Sequence, residues 1–289
     1  MSAQNDRRDD LAEVELETAS RCGKAHAENE DAVATWRGER GEAALVVSDG
    51  MGGHERGREA AAIVVETCVA TFDEADGEPP DRLLRRALTA AHGAVQRAAE
   101  AYETNGMGAT AVVALVEAAG TSPRLHLAHV GDSRAYLYRG RSLYRLTADH
   151  SVVAQLVRDG HLDETAAWRH PDRNVIQRAI GQRQALEPEV GTPRKLAPGD
   201  LILLCSDGLH DALPEREIAR ILGLSPSPAE ACRNLLETAF AQDEAEDDIS
   251  VACLRLPEIA RKRRATRPDG PTEETPPAGP ANDDERRRG

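Results

Sequence analysis

Three apolar runs in this chain end alike, each delivering an aspartate beside a glycine where a buried strand would leave its sheet. Ala44–Val47 runs into Ser48-Asp49-Gly50, Leu201–Cys205 into Ser206-Asp207-Gly208, and Leu125–Val130 into Gly131-Asp132-Ser133. A single Asp-Gly pair after a strand is explained by a turn alone. Three such sites, with Glu30-Asp31 and Asp247-Asp248 flanking further predicted strands, bring several carboxylates to one sheet edge. Close carboxylates repel, and they stay ionised together only if cations neutralise them. Oxygen-only ligation selects a hard ion, Mg²⁺ or Mn²⁺, over zinc or copper. Two such ions bridged by one aspartate would hold and acidify a water while clamping a phosphate oxygen. The pattern therefore points to metal-assisted phosphate hydrolysis.

Composition narrows the alternatives. The 289 residues allow one large domain or two small ones, and a net charge of −14 argues against nucleic acid or an anionic membrane as partner. No apolar run approaches a bilayer span, and the first ten residues are polar, unlike a signal peptide. The five cysteines, Cys22, Cys68, Cys205, Cys232 and Cys253, form no C-x-x-C pair, so they read as structural thiols of a cytoplasmic protein. Aromatics are only 3%, which leaves the core to Ala, Val, Leu and Ile.

From residue 258 the chain turns to proline and charge, with eight basic and seven acidic side chains and Ile259 as its only large apolar residue. Such a segment cannot bury enough surface to offset its ordering entropy. The expected organisation is a flexible N-terminus over 1–13, a folded domain over 14–257 and a disordered tail over 258–289. Within the domain, strand patterns fall at Leu45–Ser48, Thr110–Val116, Leu125–Val130, Ala135–Tyr138, Leu201–Cys205 and Ile249–Leu256. Helical patterns fall at Gly57–Thr71, Asp81–Glu100, Ser151–Asp159, Pro214–Leu222 and Pro228–Ala241. Residues Arg134–Leu146 suit a hairpin turning at Arg139-Gly140. Strands in runs and helices in pairs imply an α+β fold with largely antiparallel sheets.

The segments ENEDA (28–32), DGMGGH (49–54), GMGAT (106–110), GDSR (131–134), CSDGL (205–209) and DDIS (247–250) stand in one order. In this the chain resembles the protein phosphatase 2C family, metal-dependent protein serine/threonine phosphatases, and looks like a bacterial single-domain member. The resemblance spans about residues 15–256 and implies a four-layer αββα sandwich of two mainly antiparallel sheets flanked by helix pairs. It also implies two Mn²⁺ or Mg²⁺ ions. Asp49 would bridge them, the Gly50 carbonyl would complete one, Asp207 and Asp247 would bind the other, and Asp31 would act through bound waters. Asp132, with Asp207, matches the place where bacterial relatives hold a third, weaker ion. The nucleophile would be a metal-bridging water attacking the phosphoester directly. Neither a C-x₅-R nor a D-x-D-x-[TV] signature of covalent phosphatases is present.

Two positions depart from the family pattern. His26 stands where relatives usually carry an arginine that grips the substrate phosphate, with Lys24 nearby. An imidazole can donate to phosphate but lacks the bidentate fork of a guanidinium. Asp248 stands where many relatives have asparagine. His54 is placed either to protonate the leaving serine oxygen or to cap the helix starting near Glu55. Residues His150–Gly181 match a variable flap beside the metal cluster that affects which phosphoprotein is accepted, with Trp168 expected to anchor it to the body. The implied partners are phosphorylated proteins, among them a bacterial serine/threonine kinase and its substrates, met by a monomeric enzyme. The alternative is a catalytically weak phosphoprotein-binding module of the same fold.

Overall fold

The fold follows from two strands buried on both faces. In the computed structural model, which describes residues 14–51, 55–104, 106–119, 122–242 and 245–257, β3 (Ala43–Met51) and β11 (Leu201–Cys205) sit inside separate sheets. Successive side chains of a strand point to opposite faces. Leu45 and Val47 thus enter one apolar cluster with Ile202, Leu204, Ala252 and Leu254, between the sheets. Ala44 and Val46 enter a second with Val64, Leu84 and Leu88. Leu201, Leu203 and Cys205 enter a third with Ile218, Ile221, Cys232 and Leu235. Three clusters separated by two sheets make four layers.

One sheet has the order β1 (Glu15–Arg21), β12 (Ile249–Arg255), β11, β7 (Arg134–Arg139), β8 (Ser142–Arg145). The other runs β10 (Arg194–Lys195), β6 (Ser122–Val130), β5 (Ala111–Ala119), β3, β2 (Asp31–Arg37). On it, β4 (Gly108–Ala109) adds to β3 and β9 (Glu189–Val190) to β6. Every pairing is antiparallel, so the α+β expectation holds. The hairpin closes one residue later than the sequence suggests. Arg139 pairs with Ser142, and the turn residues are Gly140 (φ 57°) and Arg141 (φ 70°), the two positive φ values that a two-residue loop needs to match strand twist.

Helices α1 (Glu55–Asp73) and α2 (Pro80–Ala101) cover the second sheet, and α5 (Asp207–Ala212), α6 (Glu215–Leu224) and α7 (Pro228–Phe240) cover the first. Helix α2 opens on Pro80 with Asp81 in its first turn and buries Leu84, Leu88, Ala91 and Val95, a stripe at helical spacing. Helix α7 opens on Ser227, whose hydroxyl accepts the Glu230 N–H at 3.3 Å, in a Ser-x-x-Glu capping sequence. The flap carries two short helices, α3 (Val152–Arg158) and α4 (Glu164–Trp168). No helix among the described residues is long and apolar enough to cross a membrane. The segments 1–13 and 258–289, read above as flexible, lie outside the described residues, as does His54.

Candidate metal centre

The sheet edge gathers the aspartates as the motif pattern implies. Register pairs Asp31, the first residue of β2, directly with Asp49 on β3. Like charges facing each other across strands are unfavourable unless something neutralises them. Asp49 is held by backbone: its N–H donates to Thr110 Oγ1 (3.1 Å) and its carbonyl accepts the Thr110 N–H (2.8 Å). The Thr110 hydroxyl also meets Ser133 Oγ at 2.7 Å, which ties in the loop that carries Asp132. From the other sheet, Ser206 Oγ donates to Asp31 Oδ2 (2.8 Å) and accepts the Ser250 N–H (2.9 Å). One hydroxyl therefore joins β2, the end of β11 and the start of β12. Asp207 follows as the first residue of α5. Asp247 lies two residues before β12, its Oδ1 accepting the Asp248 N–H at 2.8 Å.

Two glycines permit the approach. A Cβ on Gly50 would lie 2.0 Å from the Gly57 carbonyl oxygen and 2.6 Å from that of Glu30, and one on Gly208 would lie 2.1 Å from the Asp248 carbonyl oxygen. Gly131 meets both needs, with φ at 100° and Thr110 Cγ2 at 2.6 Å from where a Cβ would lie.

The electrostatics show what the cluster lacks. Asp31 Oδ1, Asp132 Oδ1 and Asp207 Oδ1 are buried with no hydrogen-bond partner, an expensive state for a carboxylate oxygen. Burial, then the charges of Asp207, Asp31, Asp247 and Asp132, holds the Asp49 carboxyl well above the usual carboxylate range. Asp207 is raised likewise, by burial and then by Asp132 and Asp247. Burial pushes Asp31 up to about 8 against the opposing bonds of Ser206 and Ser250, and pushes Asp132 up to about 6. Asp247 is raised by burial as well. Oxygen donors, orphaned lone pairs and mutual repulsion fit hard divalent cations.

The remaining sequence candidates separate. His26 Nδ1 lies 3.0 Å from Asp248 Oδ2 and 3.8 Å from Asp247 Oδ1, so His26 stands at the acidic edge. A side-chain bond to Asp248 raises its pKa. Lys24 Nζ donates to the Gln242 carbonyl at 2.7 Å and lies over the Phe240 ring. Arg134 of the GDSR segment is committed to Asp149 through Nε and Nη2 (3.0 and 2.6 Å) and makes a structural fork. Trp168 does not anchor the flap: it is 47% exposed. The flap is tied to the body by Arg173 Nε on Asp211 Oδ2 (3.2 Å), by the His150 N–H on the Gly131 carbonyl (3.0 Å) and by the Ala109–Ile180 bridge, while the Ser151–Ile176 bridge and the Gln177 N–H on the His150 carbonyl (2.7 Å) close it on itself. Cys68, Cys205, Cys232 and Cys253 are buried and all five cysteines are free, as structural thiols would be.

The sequence reading passes over His129 and His150, which stack at 4.6 Å. The His150 Nδ1 accepts the Gly131 N–H (3.2 Å) and its Nε2 faces Glu189 Oε2 (3.2 Å). This buttresses the Asp132 loop from behind. Histidines 21 positions apart carry no local signal of such a pair.

Comparison with known proteins agrees with this geometry. A family model described as Protein phosphatase 2C matches residues 20–244. The chain is 36% identical over 222 residues to the serine/threonine protein phosphatase PstP of Mycobacterium tuberculosis, spanning 75% of this chain and 40% of that protein. It is 32% identical over 252 residues to the serine/threonine phosphatase Stp of Listeria welshimeri, spanning 84% and 96%. The solved M. tuberculosis phosphatase PstP/Ppp superposes with a TM-score of 0.74 at 33% identity, over 85% of this chain and 99% of that one. The catalytic domain of PstP in complex with two manganese ions does so with a TM-score of 0.72 at 31% identity, over the same shares. The chain belongs to the protein phosphatase 2C family, the family of these serine/threonine phosphatases.

Proposed function

We propose that this protein serine/threonine phosphatase hydrolyses phosphoserine and phosphothreonine in proteins with two divalent ions, Mn²⁺ or Mg²⁺, bound at the aspartate edge. The observation that supports it most is the acidic cluster itself. Five aspartates from both sheets converge, three of them with an orphaned oxygen, and to stay ionised together they need cations. Asp49 and the Gly50 carbonyl would hold one ion, Asp49, Asp207 and Asp247 the other, with Asp31 acting through waters and Asp132 offering a third, weaker place. Bound there, the ions supply an acidified water as nucleophile and neutralise the phosphate's charge.

The chain's own part is to keep this edge rigid. Ser206 holds the Asp31 carboxylate in one orientation, Thr110 clamps the backbone of Asp49, and the glycines bring Gly57 and Asp248 backbone against the acids. His54 would protonate the leaving serine oxygen. Free cysteines suit a reducing compartment, so the enzyme would work in the cytoplasm. The relatives' names, serine/threonine phosphatases, support a role in reversing a bacterial serine/threonine kinase.

The test is phosphate release from a phosphothreonine peptide by metal-stripped protein, then with Mn²⁺ or Mg²⁺ added. Release is expected only with the metal. Equal release without it, or none with it, would refute the reading.

A further inference from the structure

Helix α2 ends on charge of the wrong sign. A helix C-terminus is the negative pole of its dipole and favours cations, yet the last turn of α2 holds no basic residue. It carries Glu100 instead, with Glu103 just beyond it. The Thr104 N–H donates to the Ala99 carbonyl at 3.0 Å and the Glu103 N–H to the Glu100 carbonyl at 3.1 Å, the bonds of a Schellman ending. Its left-handed position, ordinarily a glycine, is Glu103 at φ 51°. Both carboxylates are exposed, and neither has an ion-pair or hydrogen-bond partner among the described residues. We propose that these two glutamates recognise a basic side chain of the phosphoprotein substrate, on a segment lying in the groove beside them. This inference rests on the phosphatase reading and adds a substrate class to it: phosphothreonine or phosphoserine flanked by arginine or lysine.

The groove joins the glutamates to the aspartate edge. It holds about 710 Å³, and its lining includes the apolar Met51, Ala99 and Met107 and the polar Glu100, Glu103 and Gln182. Met51 is the last residue of β3. Alternate residues of a strand point to one face, so the Met51 side chain shares a face with the Asp49 carboxylate, about 7 Å further along. An extended peptide advances the same distance in two residues. A substrate whose phosphate sits at the proposed ions therefore lays its neighbouring residues over Met51 and into the groove. Methionine side chains adapt to many apolar shapes, which leaves the carboxylates to select. Among the described lining residues Arg183 alone is basic, against two glutamates, so the groove is acidic on balance.

The walls are fixed before anything binds. Ala109 and Ile180 exchange N–H to carbonyl bonds at 3.1 and 2.8 Å. The next residue, Gly181, turns at φ 90° and donates its N–H to His92 Nδ1 at 3.1 Å. Gln96 Nε2 donates to the Gln182 carbonyl at 2.7 Å. His92 and Gln96 both belong to α2, so the helix that ends in the glutamates also fastens the end of the flap. A groove held this way loses little conformational freedom when a peptide enters.

The experiment uses the full chain loaded with Mn²⁺ and phosphothreonine peptides that differ only at the second and third positions on each side, which are arginine, alanine or glutamate. Because the whole chain carries −14, a general attraction for basic peptides must be separated from these two residues. Wild type is therefore compared with Glu100→Gln/Glu103→Gln and with a control, Glu74→Gln/Glu237→Gln, which removes two exposed carboxylates outside the groove. Two quantities are read: kcat/KM for each peptide, and the Kd of the matching non-hydrolysable phosphonate peptides by fluorescence anisotropy. Wild type should favour the arginine peptide over the glutamate one by about tenfold in both. The groove variant should reduce that ratio to about twofold, the control should keep it, and added salt should shrink it. No preference in wild type, an undiminished ratio in the groove variant, or an equal drop in the control would overturn the proposal. If wild type released no phosphate from any of the three peptides, the phosphatase reading would fail separately, and the phosphonate Kd values would still judge the groove.

Discussion

The tripeptide Ser-Asp-Gly occurs twice at the aspartate edge, and the two copies are built differently. At 48–50 the strand runs straight through, and β3 ends only at Met51. At 206–208 the strand stops at Cys205, Ser206 sits outside in extended backbone (φ −72°, ψ 173°), and Asp207 opens a helix. The serines differ too. Ser48 Oγ donates to the Thr110 carbonyl within its own sheet at 2.7 Å, whereas Ser206 reaches Asp31 on the other sheet. What the copies share is a carboxyl held above its usual range and a glycine with no room for a Cβ. The repeated sequence thus reflects a shared demand for charge and close approach, and leaves the backbone conformation free.

The comparison breaks first at the acids. Asp49→Asn and Asp207→Asn should each lower turnover by about three orders of magnitude or more, yet raise the Tm of metal-stripped protein by relieving repulsion. A variant with wild-type-like phosphate release would show that its copy does not serve the ions. A second effect follows from Asp31, whose carboxyl moves from 3.8 to about 8 on folding. A raised acid binds its proton in the folded state and loses it in the unfolded one, so stability falls as pH rises. In chelator, the Tm should therefore decline between about pH 4 and pH 8, and saturating Mn²⁺ should remove the decline. A parallel pH series with and without metal cancels the other titrating groups, and identical slopes would mean the acids are not coupled to the ion.

The glycines sharpen the point. On helix propensity alone, Gly208→Ala would stabilise by about 1 kcal/mol. The Asp248 carbonyl at 2.1 Å reverses the sign, and a loss of about 1–3 kcal/mol is expected in urea melts for both Gly50→Ala and Gly208→Ala. A stabilised Gly208→Ala would show that the shared close approach is not real. The serines give the smallest effect. Ser48→Ala and Ser206→Ala should each cost about 1 kcal/mol, but only Ser206→Ala should weaken Mn²⁺ binding in a calorimetric titration, because only it frees Asp31.

Legibility in the sequence tracked how much of each element's pattern was local. β3 and β11 announce themselves as unbroken apolar runs, and the six ordered motifs carried the family. The strand beside Asp31 has no legible bounds, because its side chains are mostly half-buried and no clean alternation shows. Helix α5 was hidden behind Asp207-Gly208, which reads as a turn when the Asp248 backbone beside it is unseen. His26 and Asp248 were each visible as departures. Their contact depends on β1 and β12 lying side by side, and no window of sequence contains both.

That pairing of β1 with β12 also sets a schedule. The strand that carries Asp247 at its entrance is the last among the described residues, yet it sits inside its sheet between β1 and β11. On a ribosome, Asp31 and Asp49 emerge early and wait for most of the domain to be synthesised before their partners arrive. Contacts of such long sequence separation form late and slowly. The acidic edge is then completed in the final step of folding, so a nascent or prematurely ended chain would meet its phosphoprotein targets without a working centre.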